Sequence, residues 1–83
     1  MYSKEGIYNE VMSYISSHGR AILFYRLIGG LNGFVKGILY VEVWETEDAI
    51  TFVSKDGSKF TLPVKIIDLL CFMEVRGEEA EIS

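Results

Sequence analysis

The sequence predicts an α+β domain that is mostly β, with one amphipathic helix at the amino terminus followed by about five short antiparallel strands. Apolar residues recur at helical spacing over residues 3–17, and the pattern then changes to the alternating and apolar runs typical of strands. Turns rich in Gly, Asn and Asp separate these runs. The 83 residues have room for a single domain, 1–83, whose strands are expected to curl into a small bent barrel.

The helix is predicted over residues 3–17, with Ser3 as its N-cap and Gly19 just beyond its end. Its buried face is expected to consist of apolar residues spaced at i, i+4, i+7 and i+8, namely Ile7, Val11, Tyr14 and Ile15. An amphipathic helix of this kind covers one face of a sheet. We expect it to cover one side of the first strand, which is apolar on both faces.

The strands are predicted at residues 20–28, 34–44, 49–54, 59–62 and 69–75. Gly37 lies inside the second strand, where it indicates a bend between two halves of a barrel. Asp56-Gly57 is a hairpin signal between the third and fourth strands. Pro63 ends the fourth strand, and a short helix over 63–72 competes with a turn followed by a fifth strand. An acidic tail, 77–83, completes the chain.

The composition favours an acidic, cytoplasmic protein that associates with itself or with another protein. The net charge of −4 disfavours broad binding of phosphates, and hence of RNA, and charged residues interrupt every apolar run before it could span a membrane. Cys71 is the only cysteine, which excludes a disulfide within the chain and fits a reducing compartment. We expect its thiol to be buried and inert. Hydrophobic residues make up 49% of this short chain, an excess that a partner could cover.

The order of elements resembles Sm-like domains of the Lsm and Hfq type, and other SH3-like small barrels. Three segments carry the resemblance, which covers residues 5–76: Asn32-Gly33 with Gly37-Ile38-Leu39, Asp48-Ala49-Ile50-Thr51-Phe52, and Pro63 to Val75. The resemblance implies a bent barrel, a ring of subunits and RNA binding through loop residues. The loop Leu62–Ile67 departs from the family because it lacks the basic-histidine or arginine-glycine signature.

Aromatic and basic residues on the strands are candidates for contact with nucleic acid. Strand-borne aromatic rings can stack on bases, and the aromatic residues expected on exposed or half-exposed faces are Tyr25, Phe34, Tyr40 and Trp44. The candidate contacts for RNA are Tyr25, Arg26, Lys36 and Lys55. A structural role competes with this interpretation, because the rings also suit a core or an interface. Arg26 in particular could pair with a carboxylate such as Glu42 or Glu74.

Three other features are interpreted as structural. The acidic cluster Glu42, Glu45, Glu47 and Asp48 lacks the alternating ligand spacing of a calcium loop, and it suits a solvated turn. His18 suits the carboxyl end of the helix, and the glycine-rich segment 29–33 suits a turn rather than a phosphate loop, because a strand follows it. No cofactor, metal set or nucleophile–base pair is indicated, so we expect a protein that is not an enzyme.

The fifth strand is the candidate interface between subunits. Its apolar face is formed by Leu69, Cys71, Met73 and Val75, and an edge strand this apolar invites pairing unless something covers it. The edge of a second subunit would cover it and extend the sheet from one molecule to the next. The sequence therefore predicts an interaction module that forms homo-oligomers, and RNA binding of the Sm-like type is the alternative.

Overall fold

A computed structural model describes residues 2–74 of the chain. Its elements are α1 (Lys4–His18), β1 (Ala21–Leu27), β2 (Asn32–Val43), β3 (Ala49–Ser54), β4 (Lys59–Pro63), a 3₁₀ turn (Val64–Ile66) and β5 (Ile67–Glu74). The predicted helix and five antiparallel strands are confirmed. The segment 63–72 forms a single 3₁₀ turn that leads directly into β5, rather than the longer helix that competed with this arrangement. Val75 and the predicted tail 77–83 lie outside the described residues.

The strands form one bent sheet in the order β4-β3-β2-β1-β5. β1 to β4 are joined as successive antiparallel hairpins, and β5 returns to pair with β1. The sheet is unclosed, because β4 and β5 lie at opposite ends of this order and each has one neighbour. The described fold therefore presents two strand edges.

Gly37 lies where β2 changes its pairing partner. The first part of β2, up to Ile38, pairs with β1, and the part from Ile38 onward pairs with β3. The φ angle of Gly37 is +66°, a conformation that residues with a Cβ rarely adopt. The Gly37 carbonyl accepts a hydrogen bond of 2.9 Å from the Lys55 amide. One long strand thereby serves both halves of the bent sheet.

The helix packs against the core face of the sheet, mainly at β2. The Ser3 hydroxyl accepts a hydrogen bond of 3.0 Å from the Gly6 amide, as expected of an N-cap. Ile7 and Val11 are buried as predicted, whereas Tyr14 and Ile15 remain half-buried. The core around the two buried helix residues is built from aliphatic and aromatic side chains of all five strands and the 3₁₀ turn: Leu23, Ile38, Val41, Ile50, Phe52, Leu62, Val64, Ile67 and Leu70.

Within residues 2–74, α1 is the longest helix, and it is too short and too polar to cross a membrane.

Candidate functional site

An apolar surface lies on the face of β1, β2 and β5 that points away from the core. Successive side chains of a strand point to opposite faces, so the burial of Leu23 and Leu70 in the core places their neighbours in sequence on the other face. Cross-strand pairing sets Ile22 opposite Met73 and Phe24 opposite Cys71. We call this surface the outer patch; its members are Ile22, Phe24, Phe34, Leu69, Cys71 and Met73.

Three members of the outer patch are exposed in the single chain, and the other three, Ile22, Phe24 and Leu69, are half-buried. The exposed fraction is 59% for Phe34 and 42% for Met73, and Cys71 is also exposed. The Phe34 ring lies against the Phe24 ring with 5.2 Å between their centroids. The expectation of a buried Cys71 thiol is therefore wrong. The apolar run around Cys71 suggested burial, but strand alternation turns this side chain to the face that no described element covers.

A cleft of about 610 Å³ lies at the bend of the sheet and shares Ile22 and Phe34 with the outer patch. Its walls come from the start of β1, the middle of β2 and the β3–β4 hairpin. Arg20, Lys36 and Lys55 contribute three positive charges to its lining, and Asp56 contributes one negative charge. The lining charges therefore sum to +3 − 1 = +2, whereas the whole chain carries −4.

The carboxylate in the cleft is held within its own turn. Asp56 Oδ1 accepts hydrogen bonds from the Ser58 hydroxyl at 2.6 Å and from the Ser58 amide at 2.9 Å. These two bonds stabilise the charged form and hold the pKa of Asp56 below its ordinary value. Among residues 2–74, no carboxylate lies within ion-pair distance of Arg20, Lys36 or Lys55.

The four residues predicted to contact RNA do not form one surface. Lys36 and Lys55 line the cleft together. Tyr25 instead packs against the core, with its ring centroid 5.1 Å from that of Phe60. Arg26 forms an ion pair of 2.8 Å with Asp68.

The partner of Arg26 differs from the two carboxylates that the sequence suggested, Glu42 and Glu74. The ladder between β1 and β5 shifts register between Arg26 and Leu27, close to the start of β5, and this places Asp68 beside the guanidinium. Glu42 pairs instead with Lys59 on β4, at 3.5 Å. A register shift is a property of the assembled sheet, so the sequence pattern alone did not indicate the right partner.

Arg20 is a cleft residue that the sequence analysis did not single out. It precedes β1 by one position and is half-buried, and Phe60 of β4 lines the cleft as well. No local signal indicated this position, because Arg20 reaches the cleft through the alignment of β1 with β2, in which Ala21 lies opposite Ile38.

The remaining aromatic candidates are exposed to similar degrees, 42% for Tyr40 and 42% for Trp44. Trp44 follows the end of β2, and its indole N–H donates a hydrogen bond of 2.7 Å to the Thr51 hydroxyl. Thr51 Oγ1 lies 2.7 Å from Thr61 Oγ1, so the three polar groups form a short chain that links Trp44 to β3 and β4.

The side chain of Lys4, the first residue of α1, connects the acidic turn between β2 and β3 to the helix. The Lys4 ammonium donates hydrogen bonds to the carbonyls of Trp44, at 2.6 Å, and Glu47, at 3.0 Å. Within the described part of the chain, no group of three or more His, Cys, Asp or Glu residues is arranged to hold a metal ion. The two bonds from Lys4 give the main chain of this turn a structural contact with the helix.

His18 and the glycine-rich segment also have structural surroundings. His18 Nδ1 lies 3.2 Å from the Tyr14 carbonyl, and its ring stacks on that of Tyr14 with 4.2 Å between centroids. Gly29 and Gly30 have φ angles of +104° and +98° in the turn between β1 and β2. The Leu27 amide donates to the Leu31 carbonyl across this turn at 2.7 Å.

No protein-family model, no curated protein and no solved structure matches the chain.

Proposed function

We propose that this protein is a non-enzymatic assembly module that associates with further copies of itself through β5. The observation that carries the proposal is that one element has both an apolar surface and an edge that pairs with no other strand among the described residues, although the Leu70 amide at that edge donates to the Tyr2 hydroxyl. The side chains of Leu69, Cys71 and Met73 face outward, and β5 has β1 as its single neighbour in the sheet. Exposed apolar patches of this kind are typical of interaction sites.

The two strand edges suit an assembly that extends the sheet from one molecule to the next. The free edge of β4 in one subunit would supply the partner for the free edge of β5 in another, and the main-chain groups would give the pairing its register. A heterologous contact of this type closes into a ring when the rotation between subunits permits it. The residues of the outer patch beside β5 would then be covered at least in part.

Met73 and Cys71 suit such a contact chemically. Methionine is flexible and polarizable, so it fills irregular gaps between two surfaces. The Cys71 thiol is accessible in the single chain and becomes a reporter, because a thiol reagent reaches it more slowly once a partner covers it.

The experiment is to measure solution mass by light scattering over a range of protein concentrations, at low and moderate salt. The natural chain is expected to have a mass greater than that of one chain, and Met73→Lys is expected to shift the population toward monomer. Met73 is 42% exposed, so a lysine is expected to change the stability of the single chain by no more than about 0.5 kcal/mol.

The matched control is Ile66→Lys. Ile66 is 39% exposed and lies in the 3₁₀ turn that precedes β5, so it places the same charge on another apolar surface residue. The control is expected to keep the mass of the natural chain. A natural chain that remains monomeric at every concentration, or equal losses in both variants, would contradict the proposal.

RNA binding is the second function considered, and the arrangement of charge supports it less well. Arg26 and Lys59 are paired with Asp68 and Glu42, so the free cations of the described strands form no track along which a polyanion would lie. A complex with short mixed RNA that weakens steeply with salt would favour RNA binding over self-association alone.

The single exposed thiol fits the cytoplasm, where we propose that the protein resides.

A further inference from the structure

We infer that the cleft at the bend of the sheet binds a small organic anion that carries a flat apolar ring. The cleft is the concave feature of the described chain in which positive charge and apolar surface meet. Its volume of about 610 Å³ lies within the range of about 300–1,000 Å³ that is usual for sites of small ligands.

The charge of the lining selects an anion. Arg20 directly before β1, Lys36 in β2 and Lys55 in the turn after β3 all line this one cleft. The Asp56 carboxylate accepts hydrogen bonds from Ser58 and forms no ion pair with these cations among residues 2–74, so the lining keeps a net charge of +3 − 1 = +2. Three cations that line one cleft raise the positive potential there, and that potential attracts an anion.

The apolar part of the lining selects a ring. Ile22, Phe34 and Phe60 line the same cleft, and 59% of Phe34 is exposed. An exposed aromatic side chain two residues from Lys36 on one strand can stack on a flat ring while the ammonium contacts the anionic group. Cations alone would also attract inorganic anions, so the adjacent ring surface is what distinguishes an organic ligand.

A small ligand fits better than a polymer. The cations lie within one concavity, and the neighbouring Arg26 and Lys59 are paired with carboxylates, so the positive potential does not continue along the surface. The net charge of −4 also opposes the approach of a long polyanion. The inference therefore concerns a ligand that the cleft itself can contain.

The test is a titration of the full-length, ¹⁵N-labelled chain followed by NMR, with two probes. Adenosine monophosphate joins a ring to a phosphate, and indole-3-acetate joins a ring to a carboxylate, so the two probes distinguish the kind of anion. Binding of either at millimolar concentration is expected to shift the amides of residues 34–37 and 54–58. Adenosine, which lacks the charge, and inorganic phosphate, which lacks the ring, are expected to bind more weakly.

Variants assign the binding to the cleft. The double variant Lys36→Gln, Lys55→Gln is expected to weaken binding by about tenfold or more, since it removes two charged donors. The control Lys65→Gln removes an exposed lysine from the 3₁₀ turn, away from the cleft, and is expected to leave the affinity unchanged. Phe34→Leu keeps an apolar side chain and removes the ring, and it is expected to weaken the aromatic probes but not phosphate.

Several outcomes would overturn the inference. These are the absence of shifts with both probes, shifts confined to other parts of the sheet, and equal weakening by the control variant. A single-stranded RNA that binds far more tightly than adenosine monophosphate, with a steep dependence on salt, would replace the small ligand with a polymer. The solution mass is recorded with each probe, so that a change in self-association is not mistaken for binding.

Discussion

The hydroxyl of Tyr2 accepts a hydrogen bond of 3.0 Å from the backbone amide of Leu70. Leu70 lies in β5, opposite Tyr25 of β1, and its amide is directed toward Tyr2 at the free edge of the strand. The segment before α1 thereby occupies one of the main-chain positions that an added strand would use. Natural sheets commonly protect an edge in this way, and a second subunit pairing along the whole of β5 would have to displace the Tyr2 ring.

Replacing Tyr2 by Phe tests this protection. The variant keeps the ring and removes the acceptor for the Leu70 amide, so the free energy of unfolding of the single chain is expected to fall by about 1 kcal/mol. Self-association is expected to increase, because the amide becomes available to a partner strand. Urea denaturation and light scattering measure the two effects.

The control for Tyr2 is Tyr8→Phe, which removes a hydroxyl from a tyrosine of α1 that is 41% exposed. It is expected to change neither the stability nor the mass. Unchanged self-association in Tyr2→Phe would place the contact between subunits away from the Leu70 amide.

Gly37 is expected to be intolerant of a side chain because of its φ angle and not because of crowding. A Cβ at this position would lie 3.9 Å from the Lys55 Cβ, an ordinary contact, whereas the φ of +66° is costly for residues other than glycine. Gly37→Ala is expected to lower the free energy of unfolding by about 1–2 kcal/mol. Gly37→Asn is expected to lose less, since asparagine tolerates this conformation better. Equal losses in urea denaturation would point to another cause.

The hydroxyl of Thr51 is expected to be important because it is buried and links two other polar groups. Thr51 is 3% exposed and contacts the Trp44 indole and the Thr61 hydroxyl. Thr51→Val preserves the shape and removes the link, with an expected loss of about 1–2 kcal/mol and a change in Trp44 fluorescence. Thr61→Val removes one of the two partners of the Thr51 hydroxyl at an exposed position and is expected to lose less. A fluorescence spectrum that Thr51→Val leaves unchanged would contradict the link.

Asp56 is expected to contribute a small acid dependence of stability. Hydrogen bonds from Ser58 lower its folded pKa below the unfolded value. The contribution is therefore present above the unfolded pKa and is lost as the pH falls through the folded pKa. Ser58→Ala removes the hydroxyl but keeps the amide, so the pKa of Asp56 is expected to rise part of the way to its ordinary value. NMR titration of the Asp56 carboxyl measures this change. An unchanged pKa would show that the hydrogen bond from the Ser58 amide is enough to keep the pKa low.

Local signals in the sequence predicted the features that depend on neighbouring residues. Ser3 caps the helix, and Gly37 marks the change of pairing partner in β2, because both signals act within a few positions. The features that depend on strand register were not predicted. The Arg26–Asp68 ion pair, the exposure of Cys71 and the place of Arg20 in the cleft arise only when distant strands are aligned. Alternation fixes which face a side chain takes, but it does not indicate whether another element covers that face.

The order of strands in the sheet has a consequence for how the chain folds. β1 to β4 can pair through short hairpins as they are synthesised, whereas the ladder between β1 and β5 joins segments far apart in sequence. Pairing of distant segments is slow, so β5 is expected to dock last. The outer patch is built from β1, β2 and β5, and it is therefore complete only after that step. Subunits that associate through it would be recruited only once they had finished folding.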